Sequence, residues 1–183
     1  LEEAKRRGLL NLKTCADAAP AYLADKNIAL FEKLKIYSRE ELESRYDILL
    51  ENYCKTLHIE ALTMVDMVRK DIYPAVCEFM GVVANTVSAK LSISKTMPCK
   101  SEKDLLAFLS ENADELYTKC EALANRLENL ESFTGIKDQA DYYRDIIFPA
   151  MEDMRGTADA LETKTSAEYW PYPTYTDILN SVV

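Results

Sequence analysis

The sequence predicts an all-α protein: an antiparallel bundle of three long helices, two of them kinked at proline, with short helices before it and an extended aromatic tail after it. Three observations carry this expectation. Four isolated glycines and six prolines in 183 residues leave too little turn chemistry for an all-β sandwich. Apolar residues recur at steps of three and four over long stretches, the period of an amphipathic helix. A balance of 48% hydrophobic and 29% charged residues is that of a chain able to bury a core, and the length suits one domain.

Residues 1–37 read as a connector with short helices: one ends at Gly8, and one or two more contain Ala18 to Leu23 and Asn27 to Leu34. Residues 38–167 read as the bundle. Ser38 followed by Glu41 is a capping box, in which the hydroxyl accepts from the backbone amide of Glu41 while the glutamate reaches back to the Ser38 amide. The helix it starts carries an apolar stripe through Leu42, Tyr46, Leu49, Tyr53, Leu57, Ala61 and Met64, and onward from Val68 to Val87. Pro74 falls inside that stripe and predicts a kink or break near Asp71 to Tyr73, because proline lacks an amide donor. Seven of the ten residues from Ile59 to Val68 are apolar, wider than a single face, so contact on more than one side is expected.

A loop over residues 92–98 precedes a second capping signal, Ser101 with Asp104. The helix after it places Leu106, Leu109, Ala113, Leu116, Cys120, Leu123, Leu127 and Leu130 at alternating steps of three and four. That heptad seam predicts left-handed packing at roughly +20°. Past Gly135 a third long helix carries Ile136, Ala140, Tyr143, Ile147, Ala150, Met154, Ala158 and Leu161, with Pro149 placed to kink it as Pro74 kinks the first. Residues 168–183 form the tail, where Tyr169, Trp170, Pro171, Tyr172, Pro173 and Tyr175 make a stiff, extended, aromatic segment that is expected to lie against the helices or another part of a larger protein.

Composition excludes several chemistries. Scattered glycines cannot write a Walker loop or a dinucleotide fingerprint, both of which need clustered glycines for close approach to phosphate. The first hundred residues are near neutral and the rest of the chain carries essentially the whole net charge of −9, which argues against nucleic acid as a partner. The longest stretch free of charge, Phe79 to Ala89, is short of the roughly 20 residues that span a bilayer, so no membrane partner is expected. Five cysteines without paired short spacing fit a reducing cytoplasm better than a disulfide framework.

His58 and Cys54, four residues apart on one helix, are half of a metal site, and a structural zinc needs about four such ligands. A di-metal bundle needs Glu-x-x-His on two helices, and this chain has a single histidine. Glu60, Asp66, Asp71, Asp145 and Asp153 lie near apolar stretches where a raised pKa could serve acid–base chemistry; pairing with neighbours such as Arg69, Lys70 and Arg144 accounts for several of them equally well. The residues alone therefore identify no catalytic centre.

Two blocks resemble the C-terminal region of type III glutamine synthetases. The first runs from Ser44 and Arg45 through Tyr46, Glu51, Asn52 and Tyr53 to Glu60 and Met64. The second holds Tyr142, Tyr143, Arg144, Asp145 and Phe148 to Met151, closing on Trp170, Pro171, Tyr172, Pro173, Thr174 and Tyr175. Glu3 to Lys5, Gly8 with Leu9, Asn11 with Leu12, and Leu30 to Lys33 are similar to the stretch that joins this region to a catalytic core. The family pattern has glycine where Thr176 stands.

The resemblance implies a cytoplasmic parent that condenses glutamate with ammonia using ATP and a divalent metal (Mg or Mn), assembled as a homo-oligomeric double ring. It implies that the catalytic core lies outside these residues, so no catalytic, cofactor or metal ligand is assigned. The partners expected are the core of the same parent chain and neighbouring subunits. The chain starts at Leu1 on a charged helical pattern, as a piece cut from a longer polypeptide or a processed chain would. The alternative is an independent helical interaction module whose aromatic tail grips a partner.

Overall fold

A computed structural model describes residues 2–181, apart from the side chains of residues 131, 132, 175 and 176, and every regular element among them is helical. The elements are α1 (Glu2–Arg6), α2 (Cys15–Ala18), α3 (Asp25–Lys33), α4 (Arg39–Met67), α5 (Tyr73–Ile93), α6 (Lys100–Glu128), α7 (Ile136–Tyr142), α8 (Phe148–Glu162) and α9 (Tyr175–Asn180). The Tyr175 side chain, singled out in the sequence, lies outside the described residues.

Helix α4 begins at the expected box: the Ser38 amide donates to Glu41 Oε2 at 2.7 Å and the Glu41 amide to Ser38 Oγ at 3.3 Å. Ser101 does not cap α6, which already starts at Lys100; its hydroxyl donates instead to Glu102 Oε2 at 3.0 Å. The α6 seam is in place, with Leu109, Ala113, Leu116, Cys120, Leu123, Leu127 and Leu130 all buried.

At the two prolines the chain forms π-helical turns, Val68–Ile72 before Pro74 and Tyr143–Ile147 before Pro149. In each, the residue preceding proline donates its amide five residues back, Tyr73 to Val68 and Phe148 to Tyr143. The wider turn reroutes the amide ladder around a residue that has no donor and whose ring crowds the carbonyl four residues before it. Helical structure consequently continues from Arg39 to Ile93. One 18-residue window of that run reaches a mean hydropathy of 1.2, enough by length and composition to cross a membrane, although Asn85, Thr86 and Ser88 punctuate its apolar part.

Most of the expected stripe is buried, including Leu42, Leu57, Ala61, Val68, Ile72, Val76 and Val83 in the first long run and Ala140, Tyr143, Ile147, Met154 and Leu161 in the third, with local departures. In α4 the core takes Leu50, Cys54 and Val65 where Leu49, Tyr53 and Met64 were expected, and in α8 it takes Met151 and Thr157 where Ala150 and Ala158 were expected. A stripe of steps of three and four can follow either of two adjacent ridges, and each of these departures lies one residue from the expected position.

The chain divides into two compact units. One comprises Leu1–Glu60 with Leu127–Pro149, the other Ala61–Arg126 with Ala150–Val183. In the second unit α5 and α6 run antiparallel: Arg69 pairs with Glu121, the Tyr73 and Tyr117 rings meet at a tilt with centroids 5.4 Å apart, and Lys90 pairs with Glu102, so advance along one helix is matched by retreat along the other. Lys119 of α6 reaches α8, donating to Asp153 Oδ1 at 2.8 Å and Thr157 Oγ1 at 2.9 Å. The Cys120 thiol donates to the Val65 carbonyl at 3.8 Å.

The tail also packs within the second unit. Tyr169 lies 5.4 Å from Phe79 between ring centroids, and the Tyr172 hydroxyl donates to Asp71 Oδ2 at 2.7 Å. It is not extended throughout, because Thr174 and Asp177 form a capping box that starts α9.

Candidate functional site

Within the first unit, helix α4 places Glu51, Cys54, Lys55 and His58 on one face, and α7 with its π turn brings Gln139 and Tyr143 to them around a cavity of about 310 Å³. Tyr143 is 2% exposed, and its hydroxyl shares a 3.0 Å hydrogen bond with His58 Nδ1. The rings meet edge to face with centroids 6.5 Å apart. Burial pushes the Cys54 thiol up to about 11 and the Tyr143 phenol up to about 12. Both groups are therefore neutral at pH 7, which makes Cys54 a poor nucleophile. Glu51 and Lys55 pair at the rim at 2.9 Å.

Sequence spacing had joined Cys54 to His58, and the structure adds Tyr143, which lies 85 residues from His58. Its place on the apolar seam marked it as core, and that is correct for the ring. Nothing in the spacing identified the hydroxyl's partner.

Arg144 is the electrostatic hub of the same unit. Its guanidinium lies 2.7 Å from Asp145 Oδ1, 2.8 Å from Asp141 Oδ1 and 2.8 Å from Asp17 Oδ1. Asp145, hydrogen-bonded to Arg144, is held below the usual carboxylate range, and Arg144 is raised chiefly by the same bond. Asp17 is lowered mainly by Thr14, which donates to it at 2.8 Å, and also by Arg144. Arg144 thus ties α2 to the π turn after α7, a structural clamp whose positive charge is fully engaged.

The other sequence-marked residues disperse. Arg45 lies over the Tyr37 ring at 4.2 Å, a cation–π contact. Tyr46 and Tyr53 are half-buried, and burial raises both phenols. Asn52, Glu60 and Pro149 are exposed. Trp170, Tyr172 and Pro173 line a cleft in the second unit, and Pro171 is exposed.

Among the described residues no three His, Cys, Asp or Glu side chains converge to hold a metal ion. Neither the cavity beside His58 nor the cleft beside Trp170 offers a cluster of cationic groups that would neutralise a triphosphate, with Lys55 and Arg155 each beside carboxylates. No step of a ligation is routed through these two cavities.

Residues 1–91 match the family described as glutamine synthetase C-terminal domain. The chain is 35% identical over its full length to a glutamine synthetase of Butyrivibrio fibrisolvens, covering 26% of that protein. It is 31% identical to a type-3 glutamine synthetase of Dictyostelium discoideum and 26% identical to a glutamine synthetase of Bacteroides fragilis, in each case over 97% of this chain and 25% of the relative. It spans about a quarter of the length of the curated relatives it matches.

Proposed function

The chain belongs to the glutamine synthetase C-terminal domain family, and from that premise we propose that it is the accessory structural domain of a type III enzyme. The parent would ligate ammonia to glutamate with ATP and Mg or Mn on a catalytic core outside these residues. The domain would brace that core and contact neighbouring subunits of a cytoplasmic homo-oligomeric double ring.

The observation that carries this reading is an apolar surface near the start of the chain. Leu9, Leu10 and Leu12 are 63%, 73% and 43% exposed, and Leu30, Leu34 and Ile36 of the same unit are exposed as well. Exposed aliphatic side chains at this density over residues 9–12 and 30–36 are unfavourable in water and favour a covering partner. The residues with family resemblance support the same reading, because Arg45, Arg144 and Asp145 are engaged within the domain and Tyr172 is bound to Asp71. All five cysteines are free, which suits a reducing compartment.

The test is to express the upstream part of a longer enzyme and this chain as separate polypeptides. Association that slows amide exchange over residues 9–12 and 30–36 is the expected result. Absence of a complex, or a complex that leaves those amides unchanged, would count against a bracing role.

A further inference from the structure

The second unit contains an open cleft of about 420 Å³ that the bracing role does not use. Three thioethers, Met64, Met67 and Met154, form its floor together with Val68 and Ile72 of the π turn. Trp170 and Tyr172 of the tail form one wall, and Ile178 of α9 lies at its edge. The volume is in the range of small-molecule pockets, and a mostly apolar lining with a few polar groups is the usual composition of such sites. Methionine supplies a soft, polarisable surface that adapts to flat or branched apolar bodies.

The polar groups at the cleft select a charge. Arg155 and Asp159 lie 3.8 Å apart and largely offset each other. Asp71 accepts from the Tyr172 hydroxyl, which fixes that ring in the wall. Glu162 also lines the cleft and is half-buried, and no ion pair engages it among the described residues. The cleft therefore combines an unpaired carboxylate with indole and phenol rings, the pairing that attracts an organic cation through both charge and ring quadrupole.

We propose that this cleft binds a small organic cation with an apolar or aromatic body, its ammonium directed to Glu162 and its body held against Met64, Met67, Met154 and Trp170. The proposal is independent of the bracing role, since its residues are separate from the exposed leucines of the other unit. Packing of the tail is what completes the site: without Trp170 and Tyr172, the methionine floor would have no aromatic wall.

The experiment uses the 183-residue chain and three probes of matched size: phenethylammonium, neutral 2-phenylethanol and anionic 3-phenylpropionate. Trp170 is the only tryptophan, so its emission reports on the cleft alone, and 13C-methyl methionine spectra report on the floor independently. Phenethylammonium is expected to bind saturably with a dissociation constant of about 1 mM, as befits so small a ligand, and about tenfold more tightly than 2-phenylethanol. The anion is expected to be the weakest of the three. Glu162→Gln should remove the cation preference while leaving binding of 2-phenylethanol unchanged. Ala158→Phe, which fills the cleft from α8, should abolish binding of all three with helical content retained. Equal binding of the three probes, cation binding indifferent to Glu162→Gln, or the absence of saturable change in both Trp170 emission and methionine methyl shifts would overturn the proposal.

Discussion

Alkaline pH should destabilise this chain through its buried Cys54 and Tyr143. Both groups are buried in the neutral form, 4% and 2% exposed respectively, and both are harder to ionise folded than unfolded. Cys54 moves from 9.0 to about 11 and Tyr143 from 10.0 to about 12. A folded pKa above the unfolded one means that the native state holds its proton longer. The stabilisation is thus complete below the unfolded value and is lost as pH rises through the window between the two. At pH 11 an unfolded Cys54 is almost wholly ionised while the folded thiol is about half ionised, a difference of ~2 kcal/mol by linkage. Tyr143 adds ~1 kcal/mol at the same pH. Cys120 is also raised by burial, so it acts in the same direction. The assay is urea unfolding followed by circular dichroism at pH 7, 8.5, 10 and 11, with the slope against urea held as a check on two-state behaviour. The wild-type midpoint should be flat to pH 8.5 and then fall. Cys54→Ala should flatten the part of that fall between pH 9 and 11, and Tyr143→Phe the part above pH 10. A wild-type midpoint unchanged to pH 11, or variants with the wild-type slope, would refute the reasoning.

Two further outcomes follow from packing and capping. Leu123→Ala, at a position with no exposed surface in the α6 seam, should lower stability by about 2–5 kcal/mol, read as the change in urea unfolding free energy. Ser38→Ala removes the hydroxyl that accepts from Glu41 and should lower stability by about 1 kcal/mol, with amide exchange accelerated in the first turn of α4.

The parts of the fold legible in the sequence are those set by local chemistry. The Ser38 box needs only residues three apart, and the α6 seam is a run of leucine, alanine and cysteine in a helix free of proline. What escaped was of two kinds. One is the π turn that accommodates each proline, Val68–Ile72 and Tyr143–Ile147, which involves the amide pattern of a whole turn and is not marked by the proline itself. The other depends on long-range partners. Tyr143 with His58, Arg144 with Asp17 and Tyr172 with Asp71 are each far apart in sequence, and composition names the groups without naming the pairs. Helix α9 was readable in principle, since Thr174 and Asp177 have capping-box spacing, but the neighbouring prolines and aromatics favoured an extended reading. For the site, the Cys54–His58 spacing located the cavity wall, whereas the cleft of the second unit needed the tail's placement.

The most direct measurement of the central claim is removal of this domain from a longer enzyme. Residues corresponding to Ser38 through Val183 would be deleted, and the product followed by light scattering for assembly and by glutamine formation for turnover. The account predicts that the truncated protein fails to assemble or to stay folded although every catalytic residue of the core remains in its sequence. A truncated enzyme that forms the full assembly and turns over at the rate of the intact one would contradict it.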